Sequence, residues 1–224
     1  MSSPRGSGPG VITPDGCAVE LYALLSPGEG PEIVQAAIPE GASILELGAG
    51  AGRMTHALLA HGHPVVAVDE SPEMLERIRG AETIQARIQE LELGRRFAVV
   101  LLASHFINVP DEGLRLRLLR TCRRHVDEDG CVLIERHKPT WFDEAVPGER
   151  EAGEMVSRLR DVARPAPGLL SATVEYQIGD DVWTQWFTAR QVDDGELAAA
   201  LAEAGLVVDE YLTDDGTWVR AIPA

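Results

Sequence analysis

An apolar run followed by a stretch with almost no side chains constrains this chain most: residues 43–58 read SILELGAGAGRMTHAL. The apolar start suits a buried strand. Glycine at 48, 50 and 52 lets the main chain turn sharply and come close to a ligand. A helical pattern resumes at once, so the turn leads into the unpaired N–H groups of a helix N-terminus. What the stretch offers a ligand is mostly backbone. A dinucleotide-binding turn, G-x-G-x-x-G, treats pyrophosphate in this way. Here the spacing is G-x-G-x-G, and Arg53 occupies the third glycine's place, which disfavours a nicotinamide cofactor. Asp69 closes the next apolar run, PVVAVD, 21 residues beyond Gly48. A carboxylate at the end of a neighbouring strand accepts ribose hydroxyls in nucleoside-binding α/β folds, so the expected ligand contains adenosine.

Strand-type runs alternate with helical patterns along most of the chain, which predicts a mostly parallel sheet with helices on both faces. Strands are expected over residues 43–48, 64–69, 82–88, 95–104 and 130–137, and helices over 52–62, 71–80 and 111–126. Ser71-Pro72-Glu73 places a capping hydroxyl, a proline and an early acid at one helix start. In the third helix Leu114, Leu118, Leu119, Cys122 and Val126 share a face, and its arginines read as solvated charge near a helix C-terminus. The alternation breaks over residues 139–168, which hold four prolines and the charged amphipathic segment EREAGEMVSRLRDVA. A β-hairpin follows around Gly179-Asp180-Asp181. A helix capped by Asp193 or Asp194 and two strands joined by a DDG turn complete the pattern, the last strand antiparallel. Residues 1–10, rich in Gly, Pro and Ser, read as a flexible leader, and residues 11–224 as a single domain with 139–190 inserted as a lid.

Composition narrows the partners. Lys and Arg number 20 against 36 Asp and Glu, a formal charge of -16, so the field repels phosphate backbones and anionic lipid: no nucleic acid and no membrane are expected. Cys17, Cys122 and Cys131 form no CxxC pair and read as small apolar residues of a reducing compartment. No apolar run reaches the ~18–20 residues of a membrane span, and a cytoplasmic location is expected. His61 and His63 lack a third ligand, so no metal site is expected.

ILELGAGAGRMT, VVAVDESPEML, RRFAVVLLASHFIN and GCVLIERH, in that order, resemble the motifs of the class I S-adenosylmethionine-dependent methyltransferases, most closely those acting on small molecules. The resemblance runs from residue 44 to 137. It implies a Rossmann-like three-layer sandwich with seven strands and a β-hairpin/helical lid after the fifth. It also implies that Glu46, Gly48, Ala49, Gly50 and Gly52 surround the methionine part of S-adenosylmethionine, and that Asp69 holds the ribose. Glu70, Ser71 and Met74 then line the adenosine side. Arg87, Ile88 and Gln89 fall where the family has an acid and a small apolar residue against adenine. Arg87 departs from that pattern, and Ile88 keeps the packing role. Ala103, Ser104 and His105 lie beside the expected methyl group, and Tyr22, in VELYALL, matches an upstream tyrosine folded over the cofactor.

Methyl transfer from a sulfonium is an in-line displacement in which alignment supplies much of the catalysis, about 7–11 kcal/mol for an ideally held pair. His105 and His137 sit at carboxyl ends of strands, where open α/β sheets place ligands, and either could take a proton. Either could be a general base; the alternatives are that His105 hydrogen-bonds the cofactor or substrate without titrating and that His137 is a loop residue. Asn108 orients an acceptor or holds its own turn, and Glu135 faces the site or pairs elsewhere. Among the aromatic residues after 137, Trp141, Trp183 and Trp186 are candidate acceptor contacts. The alternative is the insertion's own core or a second subunit, which would make a homodimer. Two rivals to a small-molecule methyltransferase are a non-methylating protein of the same fold and an NAD-dependent reductase.

Overall fold

A computed structural model describes residues 5–224. Its strands are β1 (Arg5–Ser7), β2 (Ile44–Leu47), β3 (Val65–Asp69), β4 (Glu82–Gln85), β5 (Phe97–Leu102), β6 (Val126–Glu135), β7 (Gly148–Ala152), β8 (Met155–Ala163), β9 (Leu169–Ile178), β10 (Asp181–Arg190), β11 (Leu206–Tyr211) and β12 (Trp218–Pro223). Its helices are α1 (Val19–Leu24), α2 (Gly30–Ala37), α3 (Arg53–Ala60), α4 (Pro72–Leu75), α5 (Glu112–His125), α6 (Trp141–Glu144) and α7 (Asp194–Glu203). The chain divides into two compact units, one of Ser26–Pro139 with Val192–Ala224, the other of residues up to Leu25 with Thr140–Gln191.

The larger unit is the expected seven-stranded sheet, in the order β11-β12-β6-β5-β2-β3-β4. All neighbours from β6 to β4 pair in parallel, while β12 is antiparallel to both β6 and β11. The antiparallel strand therefore lies inside the sheet, and β11 forms the edge. Successive side chains of a strand point to opposite faces. Accordingly, Leu45, Leu47, Val100 and Leu102 join one core with Leu118, Leu119 and Cys122 of α5 and Leu197 and Leu201 of α7. Ile44, Val99 and Leu101 join the other with Val34 of α2 and Met54 and Leu58 of α3. Both faces are covered, which is why these strands are apolar without interruption.

Polar caps fix the helix starts. Ser71 Oγ accepts from Met74 N–H at 3.2 Å, Asp111 Oδ1 from Leu114 N–H at 2.8 Å, and Asp193 forms a capping box with Glu196. Two elements are shorter than expected. Helix α4 stops at Leu75, and Arg79 N–H donates to His56 Nε2. Strand β4 stops at Gln85, where Ala86 N–H donates to the Asp69 carbonyl.

The smaller unit is a five-stranded antiparallel sheet in the order β1-β10-β9-β8-β7. The expected hairpin is present as β9 and β10, turning at Gly179-Asp180. The insertion carries no long helix: residues 148–163 form the β7–β8 hairpin, turning at Gly153-Glu154. Its charges pair across strands, with Arg158 bonded to Glu149 on β7 and Glu175 on β9, and Arg160 also to Glu175. Opposite charges on adjacent strands stabilise a sheet in the way that i, i+4 pairs stabilise a helix. The leader expectation also changes. Residues 1–4 lie outside the described residues, but Arg5–Ser7 pairs with β10 in the register Arg5 to Trp186. The insertion is thus part of a compact unit that also includes residues before 26.

Cys17, Cys122 and Cys131 are unpaired with one another, and burial pushes the Cys122 thiol up to about 12. Among the described residues no helix is long and apolar enough to cross a membrane. His63 is buried, with Nδ1 against the Ala42 carbonyl at 3.1 Å and Nε2 against Gln35 Oε1 at 2.7 Å.

Candidate active site

Strand β2 ends in the glycine turn, and the three glycines all take left-handed backbone: φ is +74° at Gly48, +55° at Gly50 and +87° at Gly52. A methyl at Gly48 would fall 2.2 Å from the Phe106 ring, and one at Gly52 2.7 Å from Ile78. The turn is therefore lined by main chain on which neighbours close in. Gly50 N–H donates to Asp69 Oδ2 at 2.8 Å and Ser71 N–H to Asp69 Oδ1 at 2.9 Å. These bonds fix the Asp69 carboxylate at the end of β3, and a carboxylate has acceptor capacity beyond two donors.

Glu46, inside β2, is 3 % exposed and accepts from Thr55 Oγ1 at 2.5 Å. Burial pushes its carboxyl up to about 7, opposed by the Thr55 hydroxyl and Arg53 and reinforced by Asp69. Arg53 donates through Nη1 to the Ser26 carbonyl at 3.3 Å and through Nη2 to Ser104 Oγ at 3.4 Å. Beyond Asp69, Met74 and Ile88 are buried and Gln89 half-buried. Arg87 turns along the surface to pair with Glu70 at 3.3 Å and Glu90 at 3.9 Å. Glu70 is thereby occupied on its carboxylate, and Gln85 donates to its carbonyl.

At the carboxyl end of β5, after Ala103, Ser104 and His105 adopt φ +54° and +60°. Consecutive non-glycine residues in this region cost about 1–2 kcal/mol each and mark a strained, over-determined turn. Glu135, at the end of β6, faces this turn and accepts from Ser104 N–H at 2.7 Å. His105 and His137 stack with ring centroids 3.8 Å apart and planes inclined by 20°. His105 Nδ1 is buried without a hydrogen-bond partner. Asn108 is buried, with Oδ1 accepting from His137 N–H at 2.8 Å.

Burial lowers the His105 imidazole, against the pull of Glu135 and with the push of Arg53. Burial, then the neighbouring His105, lowers His137 to about 2. An unfolded histidine titrates near 6.5, so between pH 6.5 and 2 the unfolded chain binds a proton at residue 137 that the folded chain refuses. The stability from neutral His137 is complete above pH 6.5 and is lost as pH falls. Accordingly, the difference in melting temperature between the wild type and His137→Gln should shrink between pH 7 and pH 5. A difference constant with pH would show that folding does not suppress this protonation.

Within the larger unit, the carboxyl edge of the sheet gathers Glu46, the glycine turn, Asp69, Ser71, His105, Asn108 and His137. Tyr22, Trp141, Trp183 and Trp186 belong to the smaller unit. There, Tyr22 Oη donates to Gln185 Oε1 at 3.2 Å, and burial raises its phenol well above the ordinary value. Trp183 is 3 % exposed against Ala18 and Leu21, and its Nε1–H donates to the Pro9 carbonyl at 2.9 Å, so it serves the interior of that unit. Trp141 stacks on Phe187 at 6.4 Å, and Trp186 is half-buried.

Sequence reasoning missed three arginines. Arg53 counted only against a dinucleotide, whereas its guanidinium reaches Ser104 beside the histidines. Arg115, expected to be solvated with its neighbours, is 6 % exposed. Its signal was present, since positions 115, 118, 119 and 122 share the helical phase of the core. Arg136 is fully buried at the end of β6 with no such pattern around it.

The sequence profile of a methyltransferase-domain family matches residues 44–130, the segment that carries β2 to β5 and the start of β6. The chain is 29% identical over 184 residues to an uncharacterised methyltransferase of Mycobacterium tuberculosis, covering 80% of this chain and 73% of that protein. It is 27% identical over 203 residues to a dTDP-4-amino-2,3,4,6-tetradeoxy-D-glucose N,N-dimethyltransferase of Saccharopolyspora spinosa, covering 83% and 79%. The fold matches the crystal structure of an S-adenosylmethionine-dependent methyltransferase from Clostridium acetobutylicum with a TM-score of 0.74 at 13% identity, over 91% and 94% of the two chains. The glycine turn with Asp69, the strand order and these likenesses agree: residues 44–130 carry a methyltransferase domain, and the larger unit has the Rossmann-like fold seen in S-adenosylmethionine-dependent methyltransferases.

Proposed function

We propose that this enzyme transfers a methyl group to the nitrogen of a small-molecule amine. The carrying observation is the buried Nδ1 of His105, which has no hydrogen-bond partner beside the strained Ser104–His105 turn and is read as an acceptor. A buried acceptor left unpaired costs about 1–3 kcal/mol, and an N–H of the acceptor molecule would satisfy it. Nitrogen is favoured over oxygen by proton chemistry. A hydroxyl must lose its proton to attack, whereas a neutral amine attacks with its lone pair. Imidazoles whose protonation burial disfavours are weak bases suited to orienting an amine. The Saccharopolyspora relative, named for an amino sugar, supports this acceptor class.

The cofactor, when bound, supplies a methyl group on a sulfonium, already activated for displacement. The residues present fit it: a main-chain cradle closed by Phe106 and Ile78, and a fixed carboxylate at Asp69. We assign the methionine part to Glu46, Gly48, Ala49, Gly50 and Gly52, the ribose to Asp69, and the adenosine surroundings to Ser71, Met74 and Ile88. Arg53 offers its guanidinium to the cofactor's carboxylate. Arg87 is assigned to the Glu70 ion pair rather than to adenine. His105 accepts from the amine and holds its lone pair in line, while His137 backs the ring. The net charge of -16 favours cationic or neutral acceptors over nucleic acid.

Labelled-methyl transfer to matched amine and alcohol libraries tests the reading. Amines should be methylated and alcohols of the same skeleton left untouched, and His105→Gln should lower turnover by about 10²-fold with S-adenosylhomocysteine affinity kept. Methylation of the alcohols, or cofactor binding with no methyl transfer to any amine, would overturn it.

A further inference from the structure

Helix α5 spends a core position on a charge. Arg115 is buried, in phase with Leu118, Leu119 and Cys122. A guanidinium in an apolar layer is expensive unless its donors are matched. Two of them are: Nε donates to the Ile107 carbonyl at 2.9 Å and Nη2 to the Val109 carbonyl at 2.9 Å. Those carbonyls flank Asn108, which is itself 2 % exposed. The Asn108 N–H donates to the His105 carbonyl at 2.8 Å, and its Oδ1 accepts the His137 N–H at 2.8 Å. One guanidinium fork, one turn over Phe106–Asn108 and one amide thus join α5 to the main chain beneath both imidazoles.

We propose that Arg115 is a positioning residue of the acceptor side: through the Phe106–Asn108 turn and Asn108 it holds the His105 and His137 rings stacked at the ends of β5 and β6. A leucine would fill the helix face equally well but could not hold two carbonyls, and charge-assisted bonds are the stronger kind. The groups facing His105 are Glu135 from the end of β6, His137 just after it and Arg53 from α3, and none of them lies on α5. A change at Arg115 therefore reaches the rings through the turn and not through its own charge. The effect on turnover rests on His105 as the acceptor contact proposed above. The effect on ring geometry does not.

The experiment follows the imidazole protons of the full chain by NMR from pH 5 to 8, with S-adenosylhomocysteine affinity and amine turnover measured on the same samples. In the wild type the His137 ring stays neutral across this range, and His105 titrates below an ordinary histidine. In Arg115→Gln the His137 titration rises into the range of an ordinary histidine, kcat falls about tenfold or more, and S-adenosylhomocysteine affinity is unchanged. Arg115→Lys, which keeps the charge and one bond, falls between the two. Wild-type titrations and kcat in folded Arg115→Gln would overturn the proposal, as would a parallel loss of S-adenosylhomocysteine affinity, which marks a general structural role. If Arg115→Gln does not fold, Arg115→Lys is read by the same criteria. A shifted titration alongside a His105→Gln enzyme of full activity would support the positioning role and reject the acceptor contact.

Discussion

Arg136→Met is expected to lower the stability of the chain by about 3 kcal/mol, read by urea unfolding, and its melting temperature by roughly 6–12 °C. The size follows from what the side chain holds. Its guanidinium is 1 % exposed and donates to the Gly216 carbonyl at 2.7 Å, the Val192 carbonyl at 3.0 Å and Asp194 Oδ1 at 2.5 Å, and it lies 5.6 Å from the Tyr211 ring centroid. Methionine would replace the packing and leave the two carbonyls unpaired, each at a cost of about 1–3 kcal/mol. Asp194 is exposed and returns to water, so its share is small. A loss below about 1 kcal/mol would show that water reaches the two carbonyls in the variant.

Gly48→Ala should abolish measurable binding of S-adenosylhomocysteine by calorimetry. Alanine at φ +74° costs about 1–2 kcal/mol in the backbone alone. The larger effect is steric, because its methyl would lie 2.2 Å from a Phe106 ring carbon. Either the ring moves, taking the start of the Phe106–Asn108 turn with it, or the glycine turn moves away from Asp69. Gly62→Ala is the control: φ is +89° there, with nothing within 4 Å of the added methyl. It should show the backbone cost in stability and no change in affinity. Equal affinities for the two variants would remove Gly48 from the cofactor cradle.

Much of the larger unit could be read from the sequence because its signals are local. Ile44 to Leu47, the glycines after them and the caps at Ser71, Asp111 and Asp193 each declare themselves within a few residues. The family resemblance then rested on their order. What failed was non-local. Residues 148–163 look like a charged amphipathic segment until Glu175, on another strand, supplies the partner that makes Arg158 and Arg160 sheet residues. Arg5–Ser7 looks like a leader until β10 gives it a neighbour. At the candidate site, His105 and His137 are singled out by the sequence because they follow strands. Their stacking, the Arg115 link to Asn108 and the reach of Arg53 to Ser104 come from side chains distant in sequence, and no spacing rule announces them.

The place of β12 between β6 and β11 has a consequence for the order in which this chain can be made. On a ribosome, residues 126–135 emerge long before residues 218–223 exist. During that interval the apolar Val132–Leu133–Ile134 stretch has β5 on one side and an open row of N–H and C=O groups on the other. Unpaired strand edges of this kind recruit other chains. Closing that edge joins segments more than eighty residues apart, so β6 stays open to other chains until residues 218–223 have been made.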